Sequence, residues 1–232
     1  VTGPGGRIGP HILPLFKERF AVRLLDRKPI DGEEVIVADL SDIGVLERAM
    51  DGIDAVLHLA ATSDEAPFHE ELVPNNVVGV YNVYEAARRA GVKRVVFAST
   101  VQTIGWNAQE TVEADDVPWP VSVYGVTKVF GETLGRWFYK THGLEVVCVR
   151  IGWFQPYDSP HLHTSRGLRS VWLSPGDAAE IFARSLSVPD LGYAVLFATS
   201  LTVDERMSRE PMQRLLGYTP QDDPTTYEWR GQ

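Results

Sequence analysis

The residues best suited to chemistry are a tyrosine, a lysine and a pair of hydroxyls. Tyr124 and Lys128 stand four apart in YGVTK, near the start of a segment with helical periodicity, and positions i and i+4 share one helix face. An ammonium one turn from a phenol favours its ionised form, drawing a group that ordinarily titrates near ~10 toward the range of a general base. FASTVQTIG at 97–105 carries the hydroxyls at the end of an apolar run. Thr100 is placed to hydrogen-bond a substrate oxygen while Tyr124 takes its proton, and Ser99 is the neighbouring alternative.

Such a set needs something to react against, and the start of the chain supplies a candidate. VTGPGGRIGP places glycines at 3, 6 and 9 between a strand end and a helix. A sharp strand-to-helix turn needs one residue tolerant of unusual dihedrals, one without a side chain where a diphosphate approaches, and one permitting close packing of the helix. The helix beginning near Arg7 would offer free N–H groups and its positive end to the phosphates. Asp26 follows Gly3 by 23 residues, near the spacing at which a carboxylate accepts both ribose hydroxyls of NAD. The same carboxylate would repel a 2'-phosphate, so NAD is preferred over NADP; Arg27 and Lys28 beside it are read as solvated charges. With the diphosphate held there, the nicotinamide lies at the strand end of FAST, where Ser99 is read as a nicotinamide contact or strand cap. Val1 and Thr2 are too short for an inner strand of ~5–6 residues, so a few preceding residues are expected.

Six Val/Ile/Leu-rich runs, at 21–26, 34–40, 54–60, 94–100, 145–152 and 193–199, lack polar alternation, as strands buried on both faces do. Segments of period three to four, at 75–91 and 123–143, lie between them and end at Gly91 and Gly143. The alternation predicts an α/β fold: a Rossmann-type, doubly wound parallel sheet. Residues 153–175 break it with prolines and no clean period, predicting loops and short helices that cap the substrate. The expected organisation is a dinucleotide-binding core over 1–152, with 153–232 giving a small C-terminal cap plus the last core strand and helix, all in one continuous domain.

The net charge of -9 offers no field for nucleic acid or an anionic membrane surface. The single cysteine, Cys148, sits in the apolar run EVVCV and reads as a buried small residue. No disulfide framework is possible, and no apolar stretch approaches the ~20 residues of a membrane span, so a cytoplasmic protein is expected. His161 and His163 lack companions at metal-site spacing, and no metal is expected.

TGPGGRIG, DL at 39–40, HLAA at 58–61, NVVGVYNVYEAA at 76–87, FAST and YGVTK together resemble the extended short-chain dehydrogenase/reductases, also called the NAD-dependent epimerase/dehydratase family. The resemblance implies Thr100, Tyr124 and Lys128 as the catalytic set. It implies cofactor contacts from Gly3, Gly6, Arg7, Ile8, Gly9, Asp26, Arg27, Asp39, Leu40, Leu59, Ala60, Ala61, Asn76, Ser99, Tyr124, Lys128 and Ile151. Asp39 would receive the adenine amino group and Leu40 would line the ring. It further implies a homodimer, its helices at 76–90 and 124–141 pairing across a two-fold axis with Trp137, Phe138 and Tyr139 as surplus apolar surface.

The fold hosts several reactions. Family members acting on nucleotide sugars carry a larger C-terminal domain than the 80 residues that follow Gly152 here, which favours a small substrate. Among shorter members the chain resembles the uronate dehydrogenases, through FAS-x-x-x-TIG, VRIG, SVWLSPGD and LGY. That likeness implies C1 oxidation of a free aldose or uronate to a lactone by an NAD-dependent sugar dehydrogenase. Val101, Gln102 and Trp153 replace polar residues of that group, and Arg166 and Arg169 are alternative matches for its arginine, so a neutral aldose stands beside a sugar acid. The expected pocket is Ser63, Val101, Gln102, Trp153, Arg169 and Trp172. The alternatives are a nucleotide-sugar epimerase or dehydratase with tightly held NAD, and a non-catalytic NAD-sensing regulator.

Overall fold

The computed structural model describes residues 1–105, 111–164, 166–202 and 204–226, and excludes the side chains of 163, 164 and 166. Six parallel strands and one isolated bridge position form the sheet. β1 (Leu24–Asp26) pairs with β2 (Val35–Val37), while β3 (Ala55–His58), β4 (Arg94–Thr100), β5 (Glu145–Ile151) and β8 (Tyr193–Ala198) run side by side. Thr2 bridges Leu25 on one side and His58 on the other, so the chain's first residues occupy the position between β1 and β3. The chain moves outward from there to β1 and β2, then crosses back to β3; this reversal opens a crevice at the carboxyl edge of the sheet.

Strand residues alternate between two cores, as a pleated strand buried on both faces requires. Val96, Val147 and Val149 meet Ile12 and Phe16 of α1 (Gly9–Arg19) and Phe182 of α7 (Pro175–Ser187), with α8 (Glu210–Leu216) below them. Val95, Phe97, Val146 and Cys148 meet Leu46 of α2 (Ile43–Met50), Val80 and Tyr84 of α3 (Gly79–Arg89) and Phe138 of α4 (Val123–His142). Cys148 is buried among them, and burial pushes its thiol up. Among the described residues no helix is long and apolar enough to cross a membrane.

Ser122 starts α4, its hydroxyl accepting the Gly125 N–H at 2.9 Å, and Gly143 ends it in the left-handed region at φ 73°. The helix expected over 75–91 is longer and less regular. A π-helical stretch, Phe68–Val78, runs directly into α3. Pro74 lies within it and cannot donate a backbone bond, and its carbonyl accepts from Gly79 five residues on.

Residues 153–175, expected as a cap, are not made of loops and short helices alone. β6 (Trp153–Phe154) and β7 (Trp172–Leu173) form a two-stranded parallel ladder, with α5 (His161–Thr164) and α6 (Arg166–Arg169) between them. Val101, Ile104, Val112, Val171, Phe197 and Met207 form a third apolar cluster under this cap. β8 and α7, from the same C-terminal portion, complete the main sheet and its cover.

Candidate active site

Gly3 turns the chain at φ 70°, and a Cβ there would lie 2.5 Å from the Ala60 Cα. Gly9 admits no Cβ either, since one would stand 1.9 Å from the Pro4 carbonyl; its small size lets α1 close on the loop itself rather than on a strand. Ile8 caps α1 without a side-chain hydrogen bond, and the first turn holds no acidic residue. The helix thus presents its N–H groups and positive end unneutralised, the donor set a diphosphate needs.

Two cavities meet over this loop and share Gly3, Gly6, Leu59 and Ala61. The first, of about 480 Å³, is lined by Asp26, Arg27, Lys28, Asp39, Leu40 and Ala60. Asp26 accepts the Gly5 N–H at 2.9 Å and the Lys28 N–H at 3.2 Å, which fixes the carboxylate at the end of β1. The Ser41 hydroxyl and backbone N–H hold the Asp39 carboxyl below its ordinary value. Asn75 lines this cavity, whereas Asn76 is buried behind its wall. The Asn76 amide accepts the Thr62 N–H at 2.8 Å and donates to the Thr62 carbonyl and the Thr127 hydroxyl, so it pins the loop after β3 to α4 instead of facing the cleft.

The second cavity, of about 540 Å³, brings together Arg7, Ile8, Ser63, Thr100, Val101, Gln102, Tyr124, Lys128, Ile151 and Trp153. β4 delivers Thr100, α4 delivers Tyr124 and Lys128, and the cap delivers Trp153. Ser99 and Thr100 are neighbours on a strand and diverge. Thr100 stays at the cavity, its hydroxyl accepting the Gln102 N–H at 3.3 Å. Ser99 also lines the cavity, but its hydroxyl turns inward and donates to Glu132 at 2.6 Å, so only the rest of the residue faces the space where a nicotinamide was expected. Two expected pocket residues fall outside the lining. Trp172 is fully buried, its indole N–H donating to the Gln155 carbonyl at 3.0 Å. Arg169 reaches the Pro224 carbonyl. The side chains of Arg166 and His163 lie outside the described residues.

Lys128 Nζ donates to the Ala98 carbonyl at 2.8 Å, 4.8 Å from the centre of the Phe97 ring and 5.6 Å from that of Tyr124. The expected lowering of the Tyr124 phenol is not what the structure produces. Burial pushes that phenol well up, Asp64 adds to the rise and Arg7 opposes it. Burial also brings Lys128 down to about 7, with Glu132 working against the fall. Desolvation is the largest influence on both groups.

Sequence reasoning missed Glu132 and Arg150. The Arg150 guanidinium donates to both oxygens of Glu132 at 2.9 Å, the two side chains being 2 and 4% exposed. Glu132 lies one turn beyond Lys128 on the face that carries Tyr124, and Arg150 is the one charge within VVCVRI; a basic residue inside an otherwise apolar strand signals a buried partner. Asp64 was missed too. It pairs with Arg7 at 2.8 Å across the cavity mouth.

A model of the NAD dependent epimerase/dehydratase family matches residues 1–165. A uronate dehydrogenase of Pseudomonas syringae pv. tomato is 41% identical over 73% of this chain, a match spanning 60% of that relative. An L-arabinose 1-dehydrogenase (NAD(P)(+)) of Haloferax volcanii is 34% identical over 97% of both chains. A crystal structure of a uronate dehydrogenase mutant from Agrobacterium tumefaciens, complexed with NAD, superposes with a TM-score of 0.88 at 31% identity, covering 97% of this chain and 84% of that one.

Proposed function

The chain belongs to the NAD-dependent epimerase/dehydratase family, and from that premise we propose that it oxidises a hydroxyl carbon of a small free sugar, at C1 to give a lactone, with NAD as acceptor. One observation carries the reading: Thr100, Tyr124 and Lys128 line a single cavity that continues into the cleft over the glycine loop. The cleft fits NAD, since the uncapped start of α1 suits a diphosphate and the Asp26 carboxylate suits ribose hydroxyls.

NAD, when bound, supplies the carbon that accepts hydride. Tyr124 removes the hydroxyl proton at its phenolic oxygen, and the Thr100 hydroxyl holds the substrate oxygen in place. Lys128, fixed by the Ala98 carbonyl, favours the phenolate while it carries its proton. Because burial raises the Tyr124 phenol, its basic form grows as pH rises, while Lys128, brought down to about 7, loses its supporting charge over the same range.

The nucleotide-sugar epimerase or dehydratase would recycle its NAD, and a sensor would need the glycine loop but not the proton-transfer set. A spectrophotometric screen of aldoses and sugar acids separates these readings. Stoichiometric NADH with a free sugar is expected; no NADH with any of them would overturn the proposal.

The working unit is a homodimer. Tyr81 of α3 and Val126, Phe130 and Trp137 of α4 are exposed apolar side chains on adjacent helices, a surface suited to a symmetric four-helix contact. Phe138, expected at that surface, is instead wholly buried against Tyr84, ring centres 5.5 Å apart. A reducing cytoplasm suits a chain with one free thiol.

A further inference from the structure

The chain leaves β4 at Thr100 and enters α4 at Val123, and the two ends of that connection are laced to each other. Ile104 bridges Trp119, the Gly105 N–H donates to the Trp119 carbonyl at 2.7 Å, and the Val121 N–H donates to the Gln102 carbonyl at 3.1 Å. Gln102 serves both ends. Its backbone N–H donates to the Thr100 hydroxyl at 3.3 Å, and its side-chain Oε1 accepts the Ser122 hydroxyl at 2.6 Å.

Ser122 decides which amide atom it meets. As the N-cap of α4 its Oγ accepts the Gly125 N–H at 2.9 Å, so its own hydrogen is left to give, and the amide oxygen is the atom that can take it. The start of α4 sits close against the same residue, since a Cβ on Gly125 would lie 2.3 Å from the Gln102 carbonyl oxygen. Tyr124 is the second residue of that helix. At the strand end, the Val101–Thr103 turn is held by the Thr103 hydroxyl, which donates to the Thr100 carbonyl at 2.8 Å. The Thr100 hydroxyl, having accepted the Gln102 N–H, keeps its hydrogen for a substrate oxygen.

Resting on the sugar-oxidising reading, the geometry points to Gln102 as a positioning residue that fixes the Tyr124 phenol relative to the Thr100 hydroxyl. Its side-chain oxygen is committed to the α4 cap, so it acts on the rate of proton removal and not on substrate affinity. A general base must lie within hydrogen-bond reach of its proton, and a misplacement of ~1 Å costs ~10²-fold. Loosening one of the ties should cost about tenfold.

The test measures kcat and KM with L-arabinose, D-galactose and D-galacturonate, and NAD affinity by calorimetric titration. Gln102→Met keeps the length of the side chain without its oxygen. It should lower kcat about tenfold, by one factor for every sugar turned over, with KM and NAD affinity within about twofold of wild type. Ser122→Ala should lower kcat likewise, and the double variant should match Ser122→Ala, because both changes break one bond. Ser122→Thr, which keeps the hydroxyl, should recover the rate. None of these substitutions alters charge, so the pH–rate profile should keep its midpoints while its height falls. A loss carried by KM, or differing among the sugars, would make Gln102 a substrate contact and overturn the inference while leaving sugar oxidation standing. An unchanged kcat in Gln102→Met, or losses that multiply in the double variant, would overturn it too. No turnover of any sugar by the wild type would overturn the functional reading and this inference with it.

Discussion

Glu132→Gln leaves the Arg150 guanidinium buried without its counter-charge. In the native fold that guanidinium makes two charge-assisted bonds to Glu132 at 2.9 Å and one to the Ala114 carbonyl at 3.2 Å, and it stacks 5.4 Å from the Phe197 ring. Ser99 would lose its carboxylate acceptor at the same time. Removing one partner of a buried pair costs about 3–5 kcal/mol, and each kcal/mol moves the midpoint of a chain this size by about 2–4 °C. The expected fall in Tm is therefore roughly 6–20 °C, with the urea midpoint falling and its slope unchanged. Replacing both partners, as in Glu132→Met with Arg150→Met, removes the unpaired charge and should recover most of the loss. Calorimetry and urea titration of the three proteins measure this. A single variant within about 2 °C of wild type, or a double variant no more stable than the single, would refute the pairing argument. A functional consequence follows from the same geometry. Glu132 supports the charge of Lys128, so Glu132→Gln should move the loss of that charge to lower pH.

His58 gives a prediction with a definite sign. Burial, helped by the charge of Lys128, brings it down to about 3 from an ordinary 6.5, and its Nδ1 lies 2.7 Å from the Thr2 hydroxyl. The unfolded chain binds a proton that folded His58 refuses, so its contribution to stability is complete above pH 6.5 and is lost as pH falls toward 3. Urea titrations across that window should show a flatter slope for His58→Gln, and an unchanged slope would count against a buried neutral ring. At the exposed helical face, Trp137 is 50% exposed; light scattering should give twice 25.8 kDa for the wild type, the dimer we propose, and 25.8 kDa for Trp137→Glu, and a mass that the substitution leaves unaltered would remove that face from the proposed interface.

The sheet was legible because its chemistry is local. The run EVVCVRI is apolar on both faces, and β5 occupies 145–151. Ser122 and Gly143 mark the ends of α4 by hydrogen bonding and backbone freedom alone. The β6–β7 ladder was not legible, because two residues per strand carry no periodicity. The glycine loop could be read residue by residue, whereas the pairing of Asp64 with Arg7 joins distant loops that only the fold brings together. Ser99 and Thr100 illustrate a middle case. Alternation says that they diverge, yet which hydroxyl faces the cavity depends on Glu132 waiting below the strand. The protonation of Tyr124 and Lys128 was misjudged for the same reason, since spacing reports their proximity and not the burial that dominates both.

The central claim is that the Tyr124 phenol takes the proton of a sugar hydroxyl beside the dinucleotide cleft. Tyr124→Phe, assayed for NADH formation with the best aldose and for NAD affinity by calorimetric titration, tests it directly. The account predicts a rate lower by about 10²–10⁴-fold with NAD binding retained; a variant within about tenfold of wild type in turnover would contradict it.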